Sequence, residues 1–151
     1  MKHGIIIAGS GRGLYFADLL ARTPGLKESC SVKAVVDIRK ENHDALRTRL
    51  NESGLTETKI LTTLPEALEA LPCKEAQSVL IVTPNTTHAE LAEQSLRAGR
   101  HLLLEKPIAA DWRDRPPSLI LCRTSPHVMR KSWESAARCS SSTTDFGCCH
   151  G

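Results

Sequence analysis

Glu105-Lys106-Pro107 closes the apolar run His101-Leu102-Leu103-Leu104 and is the stretch of this chain best suited to chemistry. A run of that length reads as a buried strand, and the lysine falls just past its carboxyl end. In an open α/β sheet that edge is where ligands bind. A charged pair stopped by a proline is hard to explain as core packing. A second group, Gly9-Ser10-Gly11-Arg12-Gly13, follows the first apolar run near the N-terminus. Glycines there permit a tight turn and a close approach of backbone to a pyrophosphate, which the N-terminus of the next helix stabilises. Together the two groups suggest a nucleotide site and a reactive group on one sheet edge.

The glycine turn departs from the G-x-G-x-x-G pattern. Counted from Gly9 and Gly11, the third position is Leu14; counted back from Gly13, the first two are Ala8 and Ser10. A tight strand-to-helix turn without a ligand is the alternative reading. Asp37 strengthens the nucleotide reading, because an acid at the end of a second strand accepts both hydroxyls of an adenosine ribose. Such a carboxylate repels a 2′-phosphate and favours NAD over NADP, whereas the nearby Arg39 and Lys40 could accept that phosphate. Asp37 could also cap the following helix, which is compatible with binding. A methyltransferase normally carries an acid two positions before the first glycine, and Ile7 stands there.

The elements that would position these groups alternate regularly from residue 4 to about 108. Strands are expected at Gly4 to Ala8, Val32 to Ile38, Lys59 to Thr62, Ser78 to Thr83 and His101 to Leu104. Between them, helical spacing marks Leu14 to Arg22, ended by Thr23-Pro24-Gly25, and Lys40 to Ser53, ended by Gly54. Pro65 fits the first turn of a helix through Leu71. Thr87-His88-Ala89-Glu90 matches a capping box opening a helix that stops at Gly99. Strands alternating with helices imply a doubly wound parallel sheet with right-handed crossovers.

Composition narrows the class. With 151 residues, the chain holds one domain with a real core and not two large ones. No apolar stretch approaches the roughly 18–20 residues of a membrane span, and Ile5-Ile6-Ile7-Ala8 is too short for a signal-peptide core, so a cytoplasmic protein is expected. A net charge of +3 without a basic cluster, and 3% aromatic residues, argue against a nucleic-acid partner. Four of the six cysteines, Cys122, Cys139, Cys148 and Cys149, fall in the last third. Without a secretory signal a disulfide framework is not expected, and Cys148, Cys149 and His150 lack the paired spacing of a zinc site. Reduced thiols and no metal are the expectation.

Thr83-Pro84-Asn85-Thr86-Thr87-His88, the helix to Ala98-Gly99, and His101 through Pro107 together resemble the Gfo/Idh/MocA family of NAD(P)-dependent oxidoreductases. The resemblance covers about residues 4–110, the family's N-terminal Rossmann domain. It implies that Gly9, Gly11, Arg12 and Gly13 surround the pyrophosphate and that Asp37, with Arg39 beside it, binds the adenosine ribose. It further implies that Thr83, Pro84, Asn85 and His88 line the cofactor on the fourth-strand side. Glu105 and Lys106 would sit by the nicotinamide ribose, with Lys106 as the catalytic residue near the reacting carbon of a sugar or polyol. A lysine ammonium there polarises an alkoxide or carbonyl oxygen as hydride moves to or from nicotinamide. For His88, packing or capping in the first helical turn is an equal alternative, and for Lys106 the alternative is a solvated loop lysine.

Family members continue into a second α/β domain that holds the substrate. Here the regular pattern stops near Ala110: Trp112-Arg113-Asp114-Arg115-Pro116-Pro117 breaks any helix, and Ser140-Ser141-Ser142-Thr143-Thr144 has the composition of a disordered end. The expectation is a dinucleotide-binding domain over 1–110, incomplete at its C-terminal side, and a non-family tail over 111–151. A frameshift, splice variant or gene-model error would account for that tail. For the polypeptide itself, a non-catalytic dinucleotide-binding module and a non-functional product are the alternatives to an enzyme.

Overall fold

The computed structural model of the chain describes residues 2–107. The expected tail over 111–151 lies outside them. Five short apolar runs form one sheet: β1 (His3–Ala8), β2 (Cys30–Val36), β3 (Lys59–Leu61), β4 (Ser78–Ile81) and β5 (His101–Leu104). The order is β3-β2-β1-β4-β5, and every pairing is parallel. The chain therefore builds outward from β1 to β3 on one side, then crosses back to place β4 on the other. This is the expected doubly wound, Rossmann-like α/β sheet.

Burial on both faces explains why these strands read as continuous apolar runs rather than alternating ones. On one face, α4 (Leu64–Ala70) and α5 (His88–Arg97) cover Ile6, Ala8, Ala34, Val36, Val79 and Ile81. On the other, α1 (Ser10–Arg22) and α3 (His43–Glu52) cover Ile7, Val32, Val35 and Leu80. Ile6 and Ile7 are both wholly buried, each contributing about 1.5–3 kcal/mol of apolar burial. Val32 and Val35 are three residues apart yet share a face. The register between β1 and β2 slips there, pairing Ile5 with Val32 and Ile6 with Ala34, so that Lys33 is the extra residue of a bulge. A lysine is accommodated in an interior strand this way.

Several boundaries differ from the sequence expectation. The first helix begins at Ser10, inside the glycine turn, because Gly9 alone makes the turn. Thr23 ends that helix as expected, but Pro24 then opens a further short helix, α2 (Pro24–Ser29), with proline in its first turn. The segment after Asp37 splits into a 3-10 turn at Lys40–Asn42 and α3. The second strand ends at Val36, leaving Ile38 77% exposed. Gly54 and Gly99 adopt positive φ just past their helices, as read.

The capping box expected at Thr87 does not form. Thr87 has helical backbone angles, closes a 3-10 turn at Asn85–Thr87, and turns its hydroxyl to Thr83 Oγ1 and Pro84 O, each at 2.8 Å. A true N-cap needs extended backbone. Thr63 has it, and its hydroxyl and the Glu66 carboxylate satisfy each other's backbone donors at the start of α4. The far end of α4 is held by the buried Arg100, whose guanidinium donates to the carbonyls of Leu68 (3.2 Å), Leu71 (2.5 Å) and Ala76. Among the described residues β5 pairs on one side only, and its Leu103 is 59% exposed. Replacing Thr63 by alanine is expected to cost about 1 kcal/mol of stability, read by urea denaturation. Thr63→Ser should retain nearly all of it.

Candidate functional site

Because all five strands are parallel, their carboxyl ends lie along one edge of the sheet. The sequence-picked groups follow those ends: Gly9 after β1, Asp37 after β2, Thr83 to Asn85 after β4, and Glu105 to Pro107 after β5. The switch point falls between β1 and β4, where chain direction leaves a crevice. Gly9 and Thr83 meet there. Gly9 has φ +102°, and a Cβ on it would stand 3.0 Å from both Thr83 Cγ2 and Thr83 N.

The three glycines have separate tasks, which resolves the imperfect motif. Gly9 makes the turn, and its N–H donates to Val36 O at 3.0 Å, fastening it to β2. Gly13 lets α1 lie close on the sheet, since a Cβ there would come within 2.7 Å of Ile7 Cγ2. A Cβ on Gly11 would meet nothing within 4 Å, so that side of the turn is open. No side chain among the described residues caps α1, and its first turn carries no acid. The orphan N–H groups of that turn and the positive end of the helix dipole thus lack a side-chain partner among the described residues, an arrangement suited to an anion. Gly13 performs the packing task that the pattern assigns to a position one residue later.

Asp37 is 5% exposed and wired into this turn. The Ser10 hydroxyl donates to its Oδ2, the Arg39 N–H donates to its Oδ1 at 2.8 Å, and the Asn42 amide lies 3.3 Å from Oδ2. The Arg39 guanidinium is 3.6 Å away. Burial alone would push this carboxyl up, but the Ser10 hydroxyl, the Arg39 N–H, the Asn42 amide and the Arg39 charge outweigh it. They hold Asp37 below its usual 3.8. It does not cap α3, whose N-cap is Asn42. Ser10 and Asn42 were not singled out from the sequence; the hydroxyl inside the glycine turn was the available signal for Ser10.

On the other side of the switch point, Arg12 in the first turn of α1 lies 3.8 Å from Glu105. This ion pair joins the glycine turn to the turn after β5 across the crevice. Both partners are partly exposed, so its energy is small, but it brings the two sequence motifs together. The Glu105 N–H donates to Ile81 O at 3.1 Å, extending the β4–β5 ladder by one bond. Lys106 is exposed, and the Lys106-Pro107 peptide is cis. His88 is 2% exposed, with Nε2 2.8 Å from Thr83 O and Nδ1 2.8 Å from Pro107 O. Each carbonyl accepts, so the ring donates through whichever nitrogen carries hydrogen, and only a doubly protonated ring donates through both. Its nitrogens are engaged with backbone at the start of α5, the packing role among its two readings.

Comparison with known proteins decides the family. Residues 2–125 match the Gfo/Idh/MocA oxidoreductases, a family described by its NAD-binding Rossmann fold. The chain belongs to this family. The match runs past residue 110, where composition set the expected boundary. A relative in Phocaeicola vulgatus, named glycosyl hydrolase family 109 protein 2, is 34% identical over 87 residues, 58% of this chain and 21% of the relative. The structure of GenD2 from gentamicin A biosynthesis, solved in complex with NAD, is 27% identical with a TM-score of 0.63, covering 82% of this chain and 31% of that one. The scyllo-inositol dehydrogenase of Lactobacillus casei, solved with NAD(H) and scyllo-inositol, shares the fold at 23% identity and a TM-score of 0.61, covering 76% and 31%. The chain thus spans about a third or less of the length of these relatives. Among the described residues no helix is long and apolar enough to cross a membrane, and no His, Cys, Asp or Glu cluster could hold a metal.

The lowered Asp37 carboxyl makes a prediction about acid. A folded-state value below the unfolded one means that ionised Asp37 stabilises the fold above about pH 4, and that this is lost as pH falls through the folded value. Asp37→Asn should be less stable than the wild type at pH 7 in urea denaturation, and the gap should narrow at pH 3.

Proposed function

We propose that this chain binds a nicotinamide dinucleotide along the carboxyl edge of its sheet, as the cofactor half of an oxidoreductase acting on a sugar or polyol. The observation that carries this reading is the open, uncapped turn Gly9 to Gly13 fastened to a buried, ionised Asp37. The residues present suit such a group: Gly11 carries no side chain toward an approaching pyrophosphate, and the orphan N–H groups of α1 supply its donors. Arg12 adds positive charge beside them. Asp37 accepts the adenosine ribose hydroxyls, while Thr83, Pro84 and Asn85 form the wall after β4. Glu105 and Lys106 stand at the far end, by the nicotinamide ribose.

When bound, the dinucleotide supplies the hydride donor or acceptor. The chain's own contribution at that end is Lys106, whose ammonium stabilises negative charge developing on a substrate alkoxide or carbonyl oxygen. NAD is favoured over NADP. An ionised carboxylate at position 37 repels a 2′-phosphate, and the Arg39 guanidinium is already engaged with that carboxylate. The name of the Phocaeicola relative supports a sugar as substrate and leaves the net reaction, redox or hydrolytic, to groups beyond this cofactor half.

A second reading applies to the 151-residue polypeptide taken by itself: a dinucleotide-binding module without turnover. It is supported by the share of the relatives that the chain spans, 31% for GenD2. Substrate positioning accounts for much of the rate in a two-reactant step, and the relatives are far longer than this half. Titration with NAD and NADP, followed by calorimetry, tests the cofactor reading. Wild type should prefer NAD, and Asp37→Ala should lose about tenfold to a hundredfold in NAD affinity, the worth of hydrogen bonds to a charged group. Unchanged NAD affinity would sink the ribose assignment. The same protein should show no measurable oxidation of inositols or hexoses, and robust turnover would remove the second reading.

A further inference from the structure

We infer that His88 is a positioning residue for Lys106, setting the turn after β5 over the crevice without touching the dinucleotide. The inference rests on the dinucleotide reading above. His88 is a rigid strut between two fixed points. One is Thr83 O, in the residue that packs against Gly9 at the switch point; the other is Pro107 O, immediately beyond Lys106. The ring is 2% exposed, so water does not compete for the contact that carries the hydrogen.

The other attachments of this turn lie on the near side of Lys106. They are the Glu105 N–H to Ile81 O and the partly exposed Arg12–Glu105 pair. Among the described residues, His88 is the one side chain that holds the backbone past Lys106. Lys106 is thereby tied on both sides, through Ile81 before it and through His88 after it. The two sequence motifs that bracket α5 are one mechanical unit: the histidine of the first orients the lysine of the second. Among the described residues, losing the strut leaves the turn of Lys106 with its attachments on the near side only.

The two ring contacts can be separated chemically. The Asn amide nitrogen occupies the place of ring Nδ1, so His88→Asn retains a donor to Pro107 O. The Gln amide nitrogen occupies the place of Nε2, so His88→Gln retains the bond to Thr83 O and gives up Pro107. Binding is measured with NAD and with ADP-ribose, which lacks the nicotinamide end, and folding is followed by thermal melting. His88→Gln should weaken NAD about five- to tenfold, the worth of one hydrogen bond, with ADP-ribose changed less than about twofold. His88→Asn should retain most of the NAD affinity, and Lys106→Ala should lower NAD but not ADP-ribose. A purely structural histidine predicts something else. Both His88 variants would then fail to fold, or weaken both ligands alike, and either result overturns the inference. So does a Lys106→Ala protein whose preference for NAD over ADP-ribose is unchanged. If wild type binds neither nucleotide, the dinucleotide reading itself fails and takes this inference with it.

Discussion

The contact between Gly9 and Thr83 is the constraint on which the rest of this edge depends. It sits where the chain, having built three strands in one direction, returns to build two in the other. The backbones after β1 and β4 approach so closely that one added methyl group would touch both the Thr83 side chain and its N–H. That approach aims α1 at the crevice, since the helix starts at the next residue. It also fixes Thr83, whose carbonyl carries one end of the His88 ring. A glycine with positive φ at a single position thereby sets the direction of a helix dipole and the footing of the turn that bears Lys106.

Around that contact the polar groups are arranged as bridges between strand ends. Ser10 joins β1's turn to Asp37 after β2; Arg12 joins it to Glu105 after β5; His88 joins the segments after β4 and β5. The buried bridges carry more weight than the exposed one, because an unpaired buried polar group is costly and a surface ion pair is not. Asp37 shows the balance. Its desolvation works against ionisation, and four neighbouring groups reverse that outcome. A charged acceptor is thereby kept in a nearly closed environment without a full-strength ion pair.

Much of this was legible in the sequence, for identifiable reasons. The strands announced themselves because a parallel sheet covered on both faces needs unbroken apolar runs, and Gly54 and Gly99 marked helix ends through the backbone angle only glycine takes easily. The candidate residues could be placed together from the sequence because parallel topology puts each residue after a strand on the same edge. What failed was local competition. Thr87 and Thr63 both head plausible capping boxes, and nothing in the letters says that Thr87 turns its hydroxyl back to Thr83 and Pro84. The short helix at Pro24 was hidden because proline and glycine signal both an ending and a beginning. The glycine spacing misled for a different reason: the packing task depends on which helical residue faces Ile7, and that follows from the helix starting at Ser10. Ser10 and Asn42 were missed because their roles come from a fold that brings residues 10, 37 and 42 together.

The last strand has a consequence for handling the protein in solution. β5 is paired on one flank among the described residues, and Leu103 projects from it with more than half its surface exposed. A fragment cut at Pro107 would keep every described element of the carboxyl edge, yet offer a free row of backbone donors and acceptors beside an apolar side chain. Such an edge templates strand addition from a neighbouring molecule. Self-association, rather than loss of the fold, would then set the concentration at which that fragment could be studied.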